Sequence, residues 1–272
     1  MITTEQIAHF NTFGFIVLRQ LFSKEEMVAF TKEFDDVLAN ARDNKPFDGK
    51  KRQSVQPFVE NRELLTQMVE DDRIFITLEQ LLGPGFLWMG SDGNLYVGDT
   101  QWHADRLQGD GDHLPWDLDS IKVCLYFDPV DSNTGCLRVI PGTHRREFGE
   151  RLEPIWRNGL EPDDKRYGVP SEKLPCASLE SRPGDVVFFS QGMCHSSFGG
   201  GNGRRMLAMS VLEKPTKNEH INFVKRVYAR TNFTFRPAES WVNRNSPRIH
   251  GMVRPLLDMG FDISSPTYPT RK

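Results

Sequence analysis

From Phe86 onward the chain breaks into short apolar segments separated by glycine- and proline-bearing turns, a texture that few folds accommodate. FLWMG, NLYVG, IKVCLYF, CLRVI, DVVFFS and RMLAMSV follow one another, punctuated by GSDG, DSNTG, PGTH, RPGD and FGGGNG. Many short strands with no helical pattern between them exclude a βαβ arrangement and predict an antiparallel sandwich or barrel over residues 86–212. Residues 1–85 read mainly as helical support. Thr3-x-x-Gln6 and Ser23-x-x-Glu26 have the form of capping boxes, each at the start of a helix. Met27, Phe30, Phe34, Val37 and Leu38 recur at helical spacing, whereas Gly14–Leu18 is β-branched and predicts a strand. Residues 42–57 are polar with Gly and Pro and predict a loop, and helical periodicity resumes from Leu64 until Gly83-Pro84-Gly85. Residues 213–272 supply C-terminal elements. No linker-like tract divides the 272 residues, so a single domain over 1–272 is expected.

Composition narrows the class of partner. With 34 basic and 37 acidic side chains the net charge is −3, so the whole chain lacks a polyelectrolyte signature and no nucleic acid is expected as its partner. No apolar run approaches the roughly 18 residues of a membrane span. Cys124, Cys136, Cys176 and Cys194 form no CxxC pair and the N-terminus has no basic n-region, which predicts a cytoplasmic protein. A monomer or homodimer is expected.

The chemistry concentrates in two places. Gln101-Trp102-His103-Ala104-Asp105 sets a histidine and a carboxylate two positions apart, on one side of an extended backbone. His195 follows the strand-like segment Asp185–Ser190, and two histidines with one carboxylate can occupy one face of an octahedral iron, leaving positions open. Arg204 and Arg205 open the next strand, where a planar guanidinium suits the far carboxylate of a bidentate keto acid.

On these residues the sequence resembles the phytanoyl-CoA dioxygenase-like (PhyH) family of Fe(II)/2-oxoglutarate oxygenases. MITTEQIAHFNTFGFIVLRQLFSKEEMVAF, QWHAD, IKVCLYFDPVDSNTGCLRVIPGTHR and RPGDVVFFSQGMCHSSFGGGNGRRMLA match its characteristic segments in order. The resemblance implies a β-rich α+β fold, a double-stranded β-helix (jelly roll, cupin-like) with flanking N-terminal helices. It implies His103, Asp105 and His195 as iron ligands, and Arg204 with Ser197 on the far carboxylate of 2-oxoglutarate. Arg205 stands as the alternative to Arg204. Gln101 and Tyr126 match positions that touch the cosubstrate. The implied activity uses Fe(II), 2-oxoglutarate and O2 to hydroxylate, or otherwise oxidise, an unactivated C–H bond of a small molecule, releasing succinate and CO2. A carboxylate at 105, where related halogenases carry a small residue, points to hydroxylation or another C–H oxidation and not halogenation.

Other features have plainer readings. Asp110, Asp112, Asp117 and Asp119 with His113 read as a solvated lid loop without EF-hand spacing. His144 reads as structural. His9, His220 and His250 lack a carboxylate at metal-ligand spacing, and Cys194 reads as a small buried apolar residue. Arg106 either meets substrate or bridges to the acidic loop. Glu213–Arg254 carries nine basic residues against three acidic ones, with Phe223, Tyr228, Phe233, Phe235 and Trp241 interleaved. That segment sustains two weaker alternatives to packing of solvated C-terminal elements: an anion grip and a nucleic-acid-directed dealkylase. A non-catalytic jelly roll that binds metal or ligand is the remaining alternative.

Overall fold

The computed structural model describes residues 1–108, 112–157, 167–228 and 237–262. In chain order these form α1 (Thr4–Phe13), β1 (Phe15–Leu18), α2 (Lys24–Asn40), β2 (Gln53–Val55), α3 (Glu63–Glu70), α4 (Asp72–Leu82), β3 (Leu87–Val97), β4 (Thr100–His103), β5 (Leu107–Gln108) and β6 (Asp112–His113). They continue with β7 (Ser120–Tyr126), β8 (Leu137–Val139), α5 (Arg146–Gly149), α6 (Glu153–Arg157), β9 (Ala177–Leu179), β10 (Val186–Ser190), β11 (His195–Ser197), β12 (Asn202–Leu212), α7 (Asn218–Tyr228), α8 (Glu239–Val242) and α9 (Pro247–Asp258). Both N-terminal capping boxes close: the Thr3 and Ser23 side chains accept from the Gln6 and Glu26 amides, and those residues reach back in turn.

Among the described residues the larger sheet has the order β1-β10-β7-β12-β3-β2, the smaller one β4-β11-β8-β9, and β5 pairs with β6. Every pairing is antiparallel. Strand alternation then gives the larger sheet two different faces. Ile121, Val123 and Leu125 of β7 and Leu207, Met209 and Val211 of β12 pack outward with Phe30 and Phe34 of α2 and Met252 and Val253 of α9. Phe34 and Phe127 bring their ring centroids to 4.2 Å in that layer. The residues between them, Lys122, Cys124 and Tyr126 on β7 and Met206, Ala208 and Ser210 on β12, point the other way and line a cavity.

Three expectations change in the folded chain. The GSDG segment is not a turn, because β3 runs through it unbroken, paired with β12 along its length. Gly93 there lies under the Phe58 ring, which a Cβ would strike, so the glycine serves close approach and not chain reversal. Residues 53–55, expected within a loop, form β2 at a sheet edge, where ladder hydrogen bonds need no hydrophobic run. Thus the N-terminal third supplies both edge strands, β1 and β2, as well as helices. Finally, α5 and α6 interrupt the strand-rich region, which was expected to hold no helix. No helix among the described residues is long and apolar enough to cross a membrane.

His144 is buried, and its Nδ1 has no hydrogen-bond partner. Burial, then the neighbouring Arg145 cation, pushes its pKa down to about 4. An unfolded imidazole protonates near 6.5, so between those values the unfolded state binds more protons. Its contribution to stability is therefore complete above about 6.5 and is lost as the pH falls towards 4. Acidification from pH 7 to 4.5 is expected to cost on the order of 2 kcal/mol at this residue. Thermal melts of the wild type and His144→Gln should show the shallower pH dependence in the variant; parallel curves would disprove the assignment.

Candidate metal centre and cavity

The side chains able to hold a metal ion meet where β4 and β11 pair. His195 stands opposite His103 in the antiparallel register. Their ring centroids are 4.1 Å apart. Asp105 follows just past the end of β4, with Oδ1 3.7 Å from His103 Nε2 and Oδ2 3.9 Å from His195 Nε2. One donor atom from each of the three residues lies within 4.8 Å of the others. Backbone carbonyls set both rings: His103 Nδ1–H donates to Gln101 O at 2.8 Å and His195 Nδ1–H to Met193 O at 2.9 Å. That tautomer leaves each Nε2 lone pair directed at the shared centre, the arrangement a metal-binding histidine requires. Burial and the neighbouring His103 push the His195 pKa down to about 3, so its ring is neutral and able to ligate. Burial opposes the Asp105 charge, but the Lys122 ammonium outweighs it and holds the carboxyl well below its usual range.

Lys122 carried no site role in the sequence reading. It projects from β7 into the cavity and donates to Asp105 Oδ2. Its signal was a charged residue inside the apolar run IKVCLYF, on the same strand face as Cys124 and Tyr126.

At the other end of the cavity stands Arg204, 8% exposed. Its Nε and Nη1 have no hydrogen-bond partner. Buried donors of a charged group left unpaired are costly, and they fit an anionic group such as a carboxylate in the cavity. Ser197 lines the same wall and donates to Gly135 O at 2.9 Å, and Tyr126 lies beside it. Arg205 points the opposite way, its guanidinium bridging Asp128 at 2.6 Å and Asp35 at 2.9 Å. The Gln101 side chain is not among the groups lining the cavity; Thr100 takes that place. Between His195↔His103 and Ser197↔Thr100 the chain advances two residues on β11 but three on β4. This bulge breaks the simple alternation that would have aimed Gln101 inward.

The other candidates resolve differently. Arg106 does not line the cavity; it stacks on Trp116 at 3.6 Å and donates to the Leu114 carbonyl, anchoring the segment that follows Asp105. Cys194 is fully buried, and burial pushes its thiol pKa up. His220, expected to lack a carboxylate at ligand spacing, has Asp117 at 3.1 Å and Glu219 at 3.6 Å, with Lys217 also paired to Asp117. In the basic C-terminal segment Arg244 pairs with Glu63 and Glu70, Arg248 with Asp72 and Arg254 with Asp258, while Phe223 and Trp241 are buried. Asp110, Arg230, Phe233, Phe235 and Arg236, with the side chains of Asp112 and Tyr228, lie outside the described residues.

Two antiparallel sheets that present two histidines and an aspartate beside a cavity of mixed polarity offer the donor set of a class of non-haem metal sites. The phytanoyl-CoA dioxygenase (PhyH) family model matches residues 10–206, and the chain belongs to that family. Peroxisomal phytanoyl-CoA dioxygenase of Mus musculus is 28% identical over 224 residues, covering 72% of this chain. The chain spans 64% of the length of that mouse relative. Ectoine dioxygenase of Bordetella bronchiseptica is 23% identical over 219 residues, covering 72% of this chain and 70% of that protein. Among solved structures, EctD from S. alaskensis with bound Fe superposes with a TM-score of 0.58 at 19% identity, covering 77% of this chain and 76% of that one. HygX from Streptomyces hygroscopicus, with nickel and 2-oxoglutarate bound, gives a TM-score of 0.55 at 18% identity over 93% and 95% of the two chains. These likenesses show the fold.

Proposed function

We propose that this protein is an Fe(II)- and 2-oxoglutarate-dependent oxygenase that hydroxylates, or otherwise oxidises, a C–H bond of a small organic molecule, with release of succinate and CO2. The observation that carries the reading is the convergence of His103, Asp105 and His195 on one cavity whose far end holds the unpartnered donors of Arg204. Iron in EctD and the metal with 2-oxoglutarate in HygX support it. In this reading the strands of residues 86–212 form the two halves of a double-stranded β-helix, with residues 1–85 adding the edge strands β1 and β2 and, like residues 213–272, supporting helices.

Bound iron would supply the redox chemistry that couples oxidative decarboxylation of 2-oxoglutarate with O2 to C–H oxidation. His103, Asp105 and His195 would hold it on one face, leaving positions for the keto acid and oxygen. The carbonyls of Gln101 and Met193 keep both imidazoles in the ligating tautomer. Arg204, assisted by Ser197 and Tyr126, would fix the distal carboxylate. Leu137, Phe189, Met206 and Ala208 line the wall with apolar surface and exclude water from the reacting centre. With the Asp105 carboxylate in the donor set, the reading favours hydroxylation or another C–H oxidation over halogenation. Purified protein with Fe(II), O2 and a panel of small molecules should release succinate from 2-oxoglutarate, and His103→Ala should not. Equal succinate from both would reject the reading.

The Arg204 fork lies against Gly135 and Gly200, and a Cβ at position 200 would collide with Nη1. Gly200→Ala is therefore expected to displace the guanidinium and raise the KM for 2-oxoglutarate roughly 10- to 100-fold, as loss of a charge-assisted hydrogen bond implies. Iron affinity should stay within about threefold of the wild type, since the ligands lie at the other end of the cavity; titrations of both would test the separation.

A further inference from the structure

The charged side chains lining the cavity, among the described residues, are Arg52, Lys122 and Arg204 against Asp92 and Asp105, beside the two metal-site histidines. Arg52 is matched by Asp92 at 3.3 Å and stacks on Tyr96 at 4.2 Å. Two cations, Lys122 and Arg204, then face one carboxylate, Asp105. A divalent iron and dianionic 2-oxoglutarate cancel each other, so filling the site with both leaves the surplus of one positive charge in place. Lys122 is paired with Asp105, the same carboxylate the metal would use, so with the site filled its ammonium keeps donor capacity and charge that a second bound anion satisfies.

Position identifies which cation is left over. Arg204 and Ser210 are six residues apart on β12, about 20 Å along an extended strand, and Lys122 pairs with Ser210 in the register. Arg204 and Lys122 thus mark opposite ends of the cavity wall, with the 2-oxoglutarate end at Arg204. Beside Lys122 the wall is polar and fixed: Ser120 Oγ donates to Gln191 Oε1 at 2.6 Å, and Gln191 Nε2 donates to Ser210 Oγ at 2.7 Å. An ammonium has three N–H donors, of which Asp105 takes one. The cavity volume, about 320 Å³, suits a small molecule. We propose that the oxidised substrate is a small monocarboxylic acid whose carboxylate pairs with Lys122. This rests on the iron/2-oxoglutarate reading above and adds the chemical class of the substrate.

The test is binding to the anaerobic Fe(II)·2-oxoglutarate protein, using matched probes: hexanoate against hexanamide, 3-phenylpropanoate against 3-phenylpropanamide, and N-acetyl-L-leucine against its amide. The visible absorption of the iron–keto acid complex reports first whether that complex forms, and its perturbation reports probe binding. At least one acid should bind tenfold or more tightly than its amide in the wild type. Lys122→Arg should keep the preference and Lys122→Met should lose it. No absorption band in the wild type would overturn the underlying reading. A band with no acid bound, or with amides bound as tightly as acids, would overturn the carboxylate proposal alone. A preference that survives in Lys122→Met would overturn the role of Lys122.

Discussion

Replacing His195 with alanine is expected to remove iron binding and reduce 2-oxoglutarate turnover to background. His195 is one of three side chains that bring a donor atom to the shared centre, and its Nε2 is aimed there by the Met193 carbonyl. Loss of a partner that merely orients a ligand lowers metal affinity about 10- to 100-fold, so loss of the ligand itself should exceed about 100-fold. Asp105→Ala should behave similarly towards iron, with the added consequence that Lys122 loses its carboxylate partner. Iron titration followed by succinate measurement, with circular dichroism to verify folding, tests this. Wild-type iron affinity in a folded His195→Ala protein would refute the assignment.

The second large effect is expected at Arg204. Truncating one partner of a buried, hydrogen-bonded charge pair costs about 2–5 kcal/mol, which corresponds to roughly 30-fold to several thousand-fold in affinity. Arg204→Met should weaken 2-oxoglutarate by that amount while iron binding persists. Arg205→Met is the informative contrast. Its guanidinium serves Asp128 and Asp35 on the far side of the strand, so it should lose stability by about 1 kcal/mol and leave the affinity for 2-oxoglutarate within about threefold. Equal losses of affinity in the two variants would contradict the opposite facing of these neighbours.

These contrasts mark how far one-dimensional reasoning reaches. Helix starts were legible because Thr3/Gln6 and Ser23/Glu26 act over three residues, and the apolar stripe of α2 is periodic within itself. The strand-rich character and the spacing of His103 and Asp105 are similarly local. His195 was legible from its place after the strand-like segment Asp185–Ser190, and the order of segments, through resemblance to a family, joined it to His103 and Asp105.

Composition and local pattern therefore settled the kind of fold and the residue types able to hold a metal. The folded chain decided which neighbours face inward. Arg204 and not Arg205 lines the cavity, Thr100 and not Gln101 turns towards it across a bulge, and Lys122 meets a carboxylate that lies just past a strand of the other sheet. The GSDG segment continues a strand because a partner pairs with it along its whole length. In each case the outcome depends on register between strands remote in sequence. A single inserted residue exchanges the two faces of a strand without altering any local preference, so the side chains that meet inside the cavity are specified by the assembled sheets.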